Sequence, residues 1–349
     1  MPVQKVCLEL TDACNLNCTM CYRHSWHEAT VDMSDEMLEA ILTQIEGIET
    51  IDEVVVGGIG EPTIHPKIIE VLERLSPYKV SLTTNGVSLS PAIREAIVSY
   101  VDQLVISIDG LTDNFFEIRG VKLEAVLNQL KQINTLKKNQ TKTQRKNLQV
   151  IFQMVLSATN KDDIFGVIDL ASEYGVSQLI VSNILPVDLE ESSQCLYTMY
   201  KDPEMVAYYN QIQRYALKRG LAVRLSDHHL KTERRCRFVD NNTAVINSKG
   251  EVAPCYRFAH SGSEVVFGRL KNIQAHTFGH IMHEDLGTIW HSRAYELYRN
   301  MVYNNHYPSC TDCELVDGCD MVNDTFGDCY GNAPSCGDCL WVRNLVYCI

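Results

Sequence analysis

Six short apolar runs, each followed by a segment of helical periodicity, limit how this chain can fold. Val6–Leu10, Ile51–Val56, Val80–Thr84, Leu104–Ile108 and Leu148–Leu156 read as strands, and Gln178–Val181 begins a sixth that ends near Pro186. Turn residues close several of them: Gly57-Gly58, Asn85-Gly86 and Asp109-Gly110. Ser34 precedes a helical pattern with Met37, Leu38, Ile41, Leu42 and Ile45 on one face. Pro66 marks a second helix start, and Ser90-Pro91 an N-cap and first-turn pair for a third. A long helix is expected over roughly residues 122–137, and Asn160 is expected to cap another that reaches about Tyr174. Parallel strands need long connections, so this alternation implies a parallel sheet with helical crossovers. The expected fold class is α/β: a partial (β/α)6 barrel of parallel strands, with functional residues at strand carboxyl ends.

A hydrophobic fraction of 45% and a charged fraction of 21% are enough for a globular core. The net charge of -13 offers no general field for nucleic acid or an anionic membrane, and neither is expected as a partner. The one basic run is Lys137, Lys138, Lys142, Arg145 and Lys146, broken by polar residues, and it reads as a solvated surface loop. No run of about 18 apolar residues exists to span a membrane. The first residues enter a strand pattern without a signal peptide, so a cytoplasmic location is expected.

Fourteen cysteines are many for a reducing compartment, where metal or redox work is the alternative to disulfides. They fall into two territories. Cys7, Cys14, Cys18 and Cys21 open the chain, Cys195 stands alone, and nine more lie between Cys236 and Cys348. The division suggests a core domain over residues 1–225 and a small Cys-rich domain over 226–349. The second carries a hairpin signal, Thr243 to Asn247 and Glu251 to Ala253 around Ser248-Lys249-Gly250. Beyond Tyr307 the chain is rich in Cys, Asp and Gly and lacks periodicity, so metal clusters are expected to organise it.

Cys14-Asn-Leu-Asn-Cys18-Thr-Met-Cys21 follows the first strand as a loop. Three thiolates on such a loop can hold three corners of a 4Fe–4S cluster and leave the fourth iron open to a ligand. The alternative is a zinc loop that lacks its fourth ligand, with His24 or His27 as candidates. Followed by the aromatic Tyr22, the triplet resembles the signature of the radical S-adenosylmethionine (SAM) superfamily. Other segments resemble that family's elements in the same order. Gly57-Gly58-Ile59-Gly60-Glu61-Pro62 resembles the glycine-rich segment that binds the amino group of SAM, where glycines let backbone approach a ligand. Thr83-Thr84-Asn85-Gly86 and Ser107-Ile108-Asp109-Gly110 resemble the ends of the third and fourth strands. Arg119-Gly120 matches another family element, and Gln153 and Asn183 are candidates for ribose and adenine contacts. The resemblance covers roughly residues 5–190. It implies an enzyme that reductively cleaves SAM to methionine and a 5′-deoxyadenosyl radical, which abstracts hydrogen from substrate. A reductant such as ferredoxin or flavodoxin is implied as well.

Cys236, Gly250, Cys255, Cys310, Cys313 and Cys319 resemble the SPASM extension of that superfamily, which carries two auxiliary 4Fe–4S clusters. The family's next cysteine position is Asn323 here, so the extension is a variant. By resemblance, Cys236, Cys255 and Cys329 would share the inner cluster, completed by Cys336 or Cys348. Cys310, Cys313, Cys319 and Cys339 would hold the outer one. Three clusters are thus expected in all. A zinc ribbon on the two CxxC pairs is the alternative. Cys7 reads as a core residue and Cys195 as an ordinary thiol; Arg23, His24 and His27 face substrate or pack the loop.

Enzymes with this extension mostly modify peptides or proteins, by oxidation or by thioether or carbon–carbon cross-links. The triplet begins 14 residues into the sequence, which leaves no room before it for a leader-peptide-binding module. The stretch Gly327-Asp-Cys329 through Cys336-Gly-Asp-Cys339-Leu-Trp341, with Cys348, resembles the tail of radical SAM maturases linked to tungsten-containing aldehyde ferredoxin oxidoreductases. Cys21-Tyr-Arg-His-Ser-Trp26 fits the same group. That likeness implies a pterin-cofactor or protein substrate. A non-catalytic iron–sulfur electron carrier is the alternative of another class.

Overall fold

A computed structural model of the chain describes residues 1–26, 28–139 and 146–347. His27, Lys142, Arg145 and Cys348 lie outside the described residues. Strands β1 (Lys5–Leu8), β2 (Glu53–Val56), β3 (Lys79–Thr84), β4 (Gln103–Ser107), β5 (Gln149–Leu156) and β6 (Gln178–Asn183) match the six apolar runs. Two further parallel strands extend them: β7 (Ala222–Leu225) beside β6, and β8 (Thr243–Ile246) beside β1. The short β9 (Val252–Ala253) pairs antiparallel with β8 and completes the expected hairpin. The sheet order is β7-β6-β5-β4-β3-β2-β1-β8-β9, a partial barrel. A separate antiparallel pair, β10 (Gly262–Val266) and β11 (Arg269–Ile273), belongs to the Cys-rich region. Thus the hairpin of the second region joins the first region's sheet, with Lys5 to Leu8 in register with Thr243 to Ile246.

The helices cover the outer face: α1 (Asp35–Glu46), α2 (Ile68–Arg74), α3 (Pro91–Tyr100), α4 (Thr112–Arg119), α5 (Leu123–Asn139), α6 (Ile164–Glu173) and α7 (Pro203–Lys218). Ser34 caps α1 by accepting from Met37 N, and Ser90 caps α3 by accepting from Ile93 N. Ile41, Leu42 and Ile45 of α1 are fully buried, each stabilising the fold by about 1.5–3 kcal/mol. Asn160 does not cap α6, contrary to the sequence reading. Its amide donates to Asp109 O (2.7 Å) and Val155 O (2.8 Å), and its oxygen accepts from Ser157 N (2.8 Å). The side chain therefore locks together the ends of β4 and β5, which is where the site lies. Of the basic run, Lys146 is bound to Asp102 Oδ2 (2.7 Å) and Tyr78 O (2.8 Å) rather than solvated alone.

The barrel interior is layered. Cys7, Val55 and Val245 share one apolar layer across β2, β1 and β8, so Cys7 is a core residue. Val105, Ile151 and Ile180 continue apolar packing across β4, β5 and β6, with Tyr347 against them. At the amino-terminal edge, Lys5 and Lys79 both reach Glu53 at 2.7 Å. Burial pushes the Glu53 carboxyl up, but the two lysines outweigh it and hold the carboxyl below its ordinary value. A carboxyl whose folded value is depressed contributes stability above its unfolded value and loses it as pH falls through the folded one. Wild-type protein is therefore expected to lose stability more steeply than Glu53→Gln on acidification below about pH 4.5. Equal slopes in denaturant titrations across that window would refute this.

The open side of the barrel is walled by residues 340–347. The Tyr347 ring lies between the guanidinium groups of Arg224 on β7 (4.1 Å) and Arg237 (3.9 Å). Tyr347 N donates to Ser182 Oγ (3.0 Å), and Asp227 N donates to Asn344 O (2.7 Å).

Candidate active site and cysteine clusters

A cavity of about 290 Å³ opens at the carboxyl ends of the strands. Cys14, Cys18 and Cys21 line one wall, and no other cysteine does so among the described residues. The loop is held from below: Glu61 N donates to Ala13 O (2.8 Å), and Thr19 N to Ile118 O (2.9 Å). Burial lifts the Cys18 thiol to about 11; the Arg119 guanidinium opposes this, while Asp109, Cys21 and Cys14 add to it. Burial also raises Cys21, with Arg23 N opposing it. Three thiols thus converge at an open cavity wall beside a buried cation. His24 is exposed with its ring on Asn17 Oδ1 (3.0 Å), and among the described residues no three His, Cys, Asp or Glu side chains are grouped to hold a single metal ion. The arrangement fits the open cluster better than the zinc loop.

Tyr22, Gly58, Gly60 and Glu61 line the same cavity, as do Thr84, Asn85, Ser107, Arg119, Gln153 and Asn183. Gly58 has φ +122°, and a Cβ on Gly60 would lie 2.2 Å from Thr11 O, so both positions require glycine. Glu61 is buried and its carboxylate accepts from Thr63 N (3.1 Å), Thr63 Oγ1 (2.6 Å), Thr84 Oγ1 (2.8 Å) and Asn85 N (2.6 Å). Burial pushes its carboxyl up against those bonds. Glu61 therefore ties the loop after β2 to the end of β3, and backbone is what the loop turns to the cavity.

Three expectations need correction. Gly57 does not line the cavity; it packs on Thr83, whose Oγ1 would lie 2.0 Å from a Cβ there. Asp109 does not line it either. It is fully buried, and its carboxylate takes Arg119 Nε (2.7 Å), Arg119 Nη2 and Val155 N (2.6 Å). It acts through Arg119. Asn183 lines the cavity, but its amide donates to Asp227 O and Leu345 O (both 2.8 Å) and its oxygen accepts from Tyr209 Oη (3.0 Å). Its polar atoms are spent on holding residues 340–347 in place. Sequence reasoning missed Tyr256, Trp341, Val346 and Tyr347 in the cavity wall. No periodicity or spacing signals that a segment so far along the chain returns to the first strands.

Among the auxiliary cysteines, Cys255 has three thiol neighbours. Burial, then the thiols of Cys236, Cys339 and Cys336, push Cys255 well above its ordinary value. Burial likewise raises Cys236 to about 12, with Cys339 adding to the rise. Tyr298 Oη lies 3.2 Å from Cys336 Sγ. Cys236, Cys255, Cys336 and Cys339 thus form one buried set of four. Cys336 and Cys339 stand on one tight turn, Cys336-Gly-Asp-Cys339, and Cys339 adds to the rise that burial gives Cys336. Cys310 has Cys329 as its thiol neighbour; burial and Asp338 raise it to about 12, with Lys271 opposing. The turn Cys310–Asp312 packs against the turn Val316–Gly318 that precedes Cys319. Cys310 also lies against the turn Cys336-Gly-Asp-Cys339: its N donates to Gly337 O (2.8 Å), and a Cβ on Gly337 would lie 2.6 Å from Cys310 Sγ. Cys195 is half-buried beside Tyr197.

A buried network anchors the turn Cys336-Gly-Asp-Cys339. Arg257 pairs with Glu264 (Nε to Oε1 3.1 Å) and Asp338 Oδ1 (3.2 Å), and Lys271 reaches Asp338 Oδ2 (2.9 Å). All four side chains are buried. Asp338 sits between Cys336 and Cys339 and so fixes that turn on two cations.

The cavity at the strand ends is walled by three thiols, a glycine segment and a buried arginine. The sequence profile of the radical SAM superfamily matches residues 8–200, and that of the SPASM iron–sulfur cluster-binding domain matches residues 236–314. The chain belongs to the radical SAM superfamily of enzymes, and SAM and iron–sulfur clusters are its cofactors. Among relatives, it is 34% identical over 346 residues to the tungsten-containing aldehyde ferredoxin oxidoreductase cofactor-modifying protein of Pyrococcus furiosus, covering 98% of this chain and 96% of that one. Among solved structures, it resembles Streptococcus suis SuiB bound to its precursor peptide SuiA (TM-score 0.66, 17% identity, 97% of this chain and 76% of that one). It also resembles anSMEcpe with bound SAM and a peptide (TM-score 0.60, 16% identity, 99% and 94%). These two likenesses concern the fold. Among the described residues no helix is long and apolar enough to cross a membrane.

Proposed function

We propose that the chain is a maturase that uses SAM to modify the tungstopterin cofactor of an aldehyde ferredoxin oxidoreductase, or the protein that hosts it. The observation that carries the radical half is the convergence of Cys14, Cys18 and Cys21 on the wall of the cavity ringed by Gly58, Gly60 and Arg119. The near full-length likeness to the Pyrococcus protein supports the substrate half. Cys14, Cys18 and Cys21 would hold a 4Fe–4S cluster, which would bind SAM through its amino and carboxylate groups. Bound and reduced there, such a cluster supplies the electron that cleaves SAM to methionine and a 5′-deoxyadenosyl radical.

The protein's own part is placement. Backbone at Gly58 to Gly60 receives the amino group, Arg119 balances charge beside the thiols, and Ser107 and Gln153 face the sugar. Trp341, Val346 and Tyr347 exclude water from the wall opposite. Cys236, Cys255, Cys336 and Cys339 would hold one auxiliary cluster and Cys310, Cys313, Cys319 and Cys329 a second, and these would supply electron transfer with a small ferredoxin- or flavodoxin-like carrier.

The test is anaerobic incubation of reconstituted protein with SAM, a strong reductant and the cognate oxidoreductase, followed by mass spectrometry. The expected result is methionine, 5′-deoxyadenosine and a mass change in the pterin cofactor or its host protein. Release of neither product would leave an electron carrier and overturn the enzyme reading. Both products with change only in a supplied peptide would overturn the substrate.

A further inference from the structure

The glycine segment of the cavity is held from behind by residues that do not line it: Glu9, His260 and Trp26. Glu9 stands directly after β1 and is buried. Its Oε1 accepts from Ile59 N (3.0 Å), inside the segment Gly58-Ile59-Gly60. Gly58 is seated on the same carboxylate, since a Cβ there would lie 2.6 Å from Glu9 Oε1. The other oxygen, Oε2, accepts from His260 Nε2 (2.6 Å), and His260 is buried as well. A buried carboxylate deprived of such a donor bears the full cost of leaving water, so the histidine is what keeps Glu9 seated under the segment. His260 arrives from the Cys-rich region, shortly after Cys255 and the turn Tyr256–Phe258. Its ring also stacks on Trp26, with centroids 4.0 Å apart and planes at 26°. Trp26 follows the turn Tyr22–Ser25, which starts next to Cys21. Gly262 leaves room for that stack, because a Cβ there would lie 3.0 Å from the Trp26 ring. One imidazole therefore touches the supports of both the glycine segment and the cysteine loop.

We propose that His260 is a positioning residue for SAM. Through Glu9 it fixes the backbone of Gly58 to Gly60, and through Trp26 it keeps the end of the cysteine loop in register with that backbone. The Cys-rich region thus sets SAM affinity without contributing this residue to the cavity wall. The inference rests on the placing of the SAM amino group at Gly58 to Gly60 in the proposed function.

The experiment is equilibrium dialysis of labelled SAM against reconstituted full-length protein at matched iron content, beside KM for SAM and kcat for deoxyadenosine release. His260→Phe keeps a ring against Trp26 and gives Glu9 no donor. It is expected to bind SAM ~10–100-fold more weakly, the scale of loss when an outer partner of a binding group is removed. KM is expected to rise by the same factor with kcat little changed, the signature of lost uniform binding. His260→Gln, whose amide donates at a similar reach, is expected to restore most of the affinity. Wild-type affinity in loaded His260→Phe overturns this proposal alone, and so does equal weakening in His260→Phe and His260→Gln. Gly60→Ala checks the placing of SAM: unchanged binding there overturns that placing and this proposal together. Should His260→Phe fail to load, His260→Asn takes its place. Its amide is one carbon shorter and falls short of Glu9, so binding as tight as in His260→Gln overturns the proposal.

Discussion

Cys18→Ala protein forms no 5′-deoxyadenosine from SAM, a loss of at least ~100-fold, since even residues that merely support a metal ligand cost 10–100-fold. Cys18 is the buried member of its triplet, 9% exposed, and sits beside Arg119. Alanine there leaves two thiols, and two corners do not hold a cubane against loss of iron. The backbone of the loop does not depend on the Cys18 side chain, because it is held through Ala13 O, Ile118 O and the Cys18 carbonyl. The fold should therefore persist, with auxiliary cluster signals intact. Cys195→Ser, at a thiol outside all three sets, is expected to keep wild-type product formation. Measurement is product quantitation by mass spectrometry beside iron content. Undiminished deoxyadenosine from Cys18→Ala would refute the assignment of this loop.

Asp109→Ala is expected to destabilise the protein by about 3–5 kcal/mol, because it leaves the Arg119 guanidinium buried without its counter-charge. The pair is 1% and 8% exposed at its side chains, so solvent gives little compensation. The same carboxylate accepts from the N–H of Val155, a cavity-lining residue of β5, so the substitution also loosens the strand end beside Gln153. SAM binding should weaken in parallel although Asp109 does not line the cavity. The double variant Asp109→Ala/Arg119→Met, which removes both charges together with their desolvation cost, is expected to be less destabilising than Asp109→Ala alone. Chemical denaturation of reconstituted protein decides: a larger loss in the double variant than in Asp109→Ala would refute the account.

Much of the core was legible in the sequence because its signals are local. Strand runs closed by Gly-Gly, Asn-Gly and Asp-Gly, caps at Ser34 and Ser90, and the hairpin around Ser248-Lys249-Gly250 each depend on a few consecutive residues. Misreadings arose where the partner is distant. Asn160 has the chemistry of a cap, yet three nearer polar groups at the ends of β4 and β5 claim its amide. Strand β7 has only four residues and α4 lies between two turn signals, too little pattern to be read. Asp109 and Asn183 were rightly found near the cavity, but which way a side chain spends its hydrogen bonds depends on Arg119, Tyr209 and Leu345.

The sequence by itself determined the α/β class, the triplet Cys14, Cys18 and Cys21, and the presence of a second cysteine territory. Those follow from spacing along the chain, and spacing of seven residues survives any folding of the rest. Only the tertiary structure decided which thiols meet. Cys236, Cys336 and Cys339 act on Cys255 from across about a hundred residues, and Arg257 and Lys271 hold Asp338 between two of them. It also decided what closes the cavity: β8 pairs with β1, and Tyr347 stacks with Arg224 and Arg237, so the chain's last third walls a cavity built by its first.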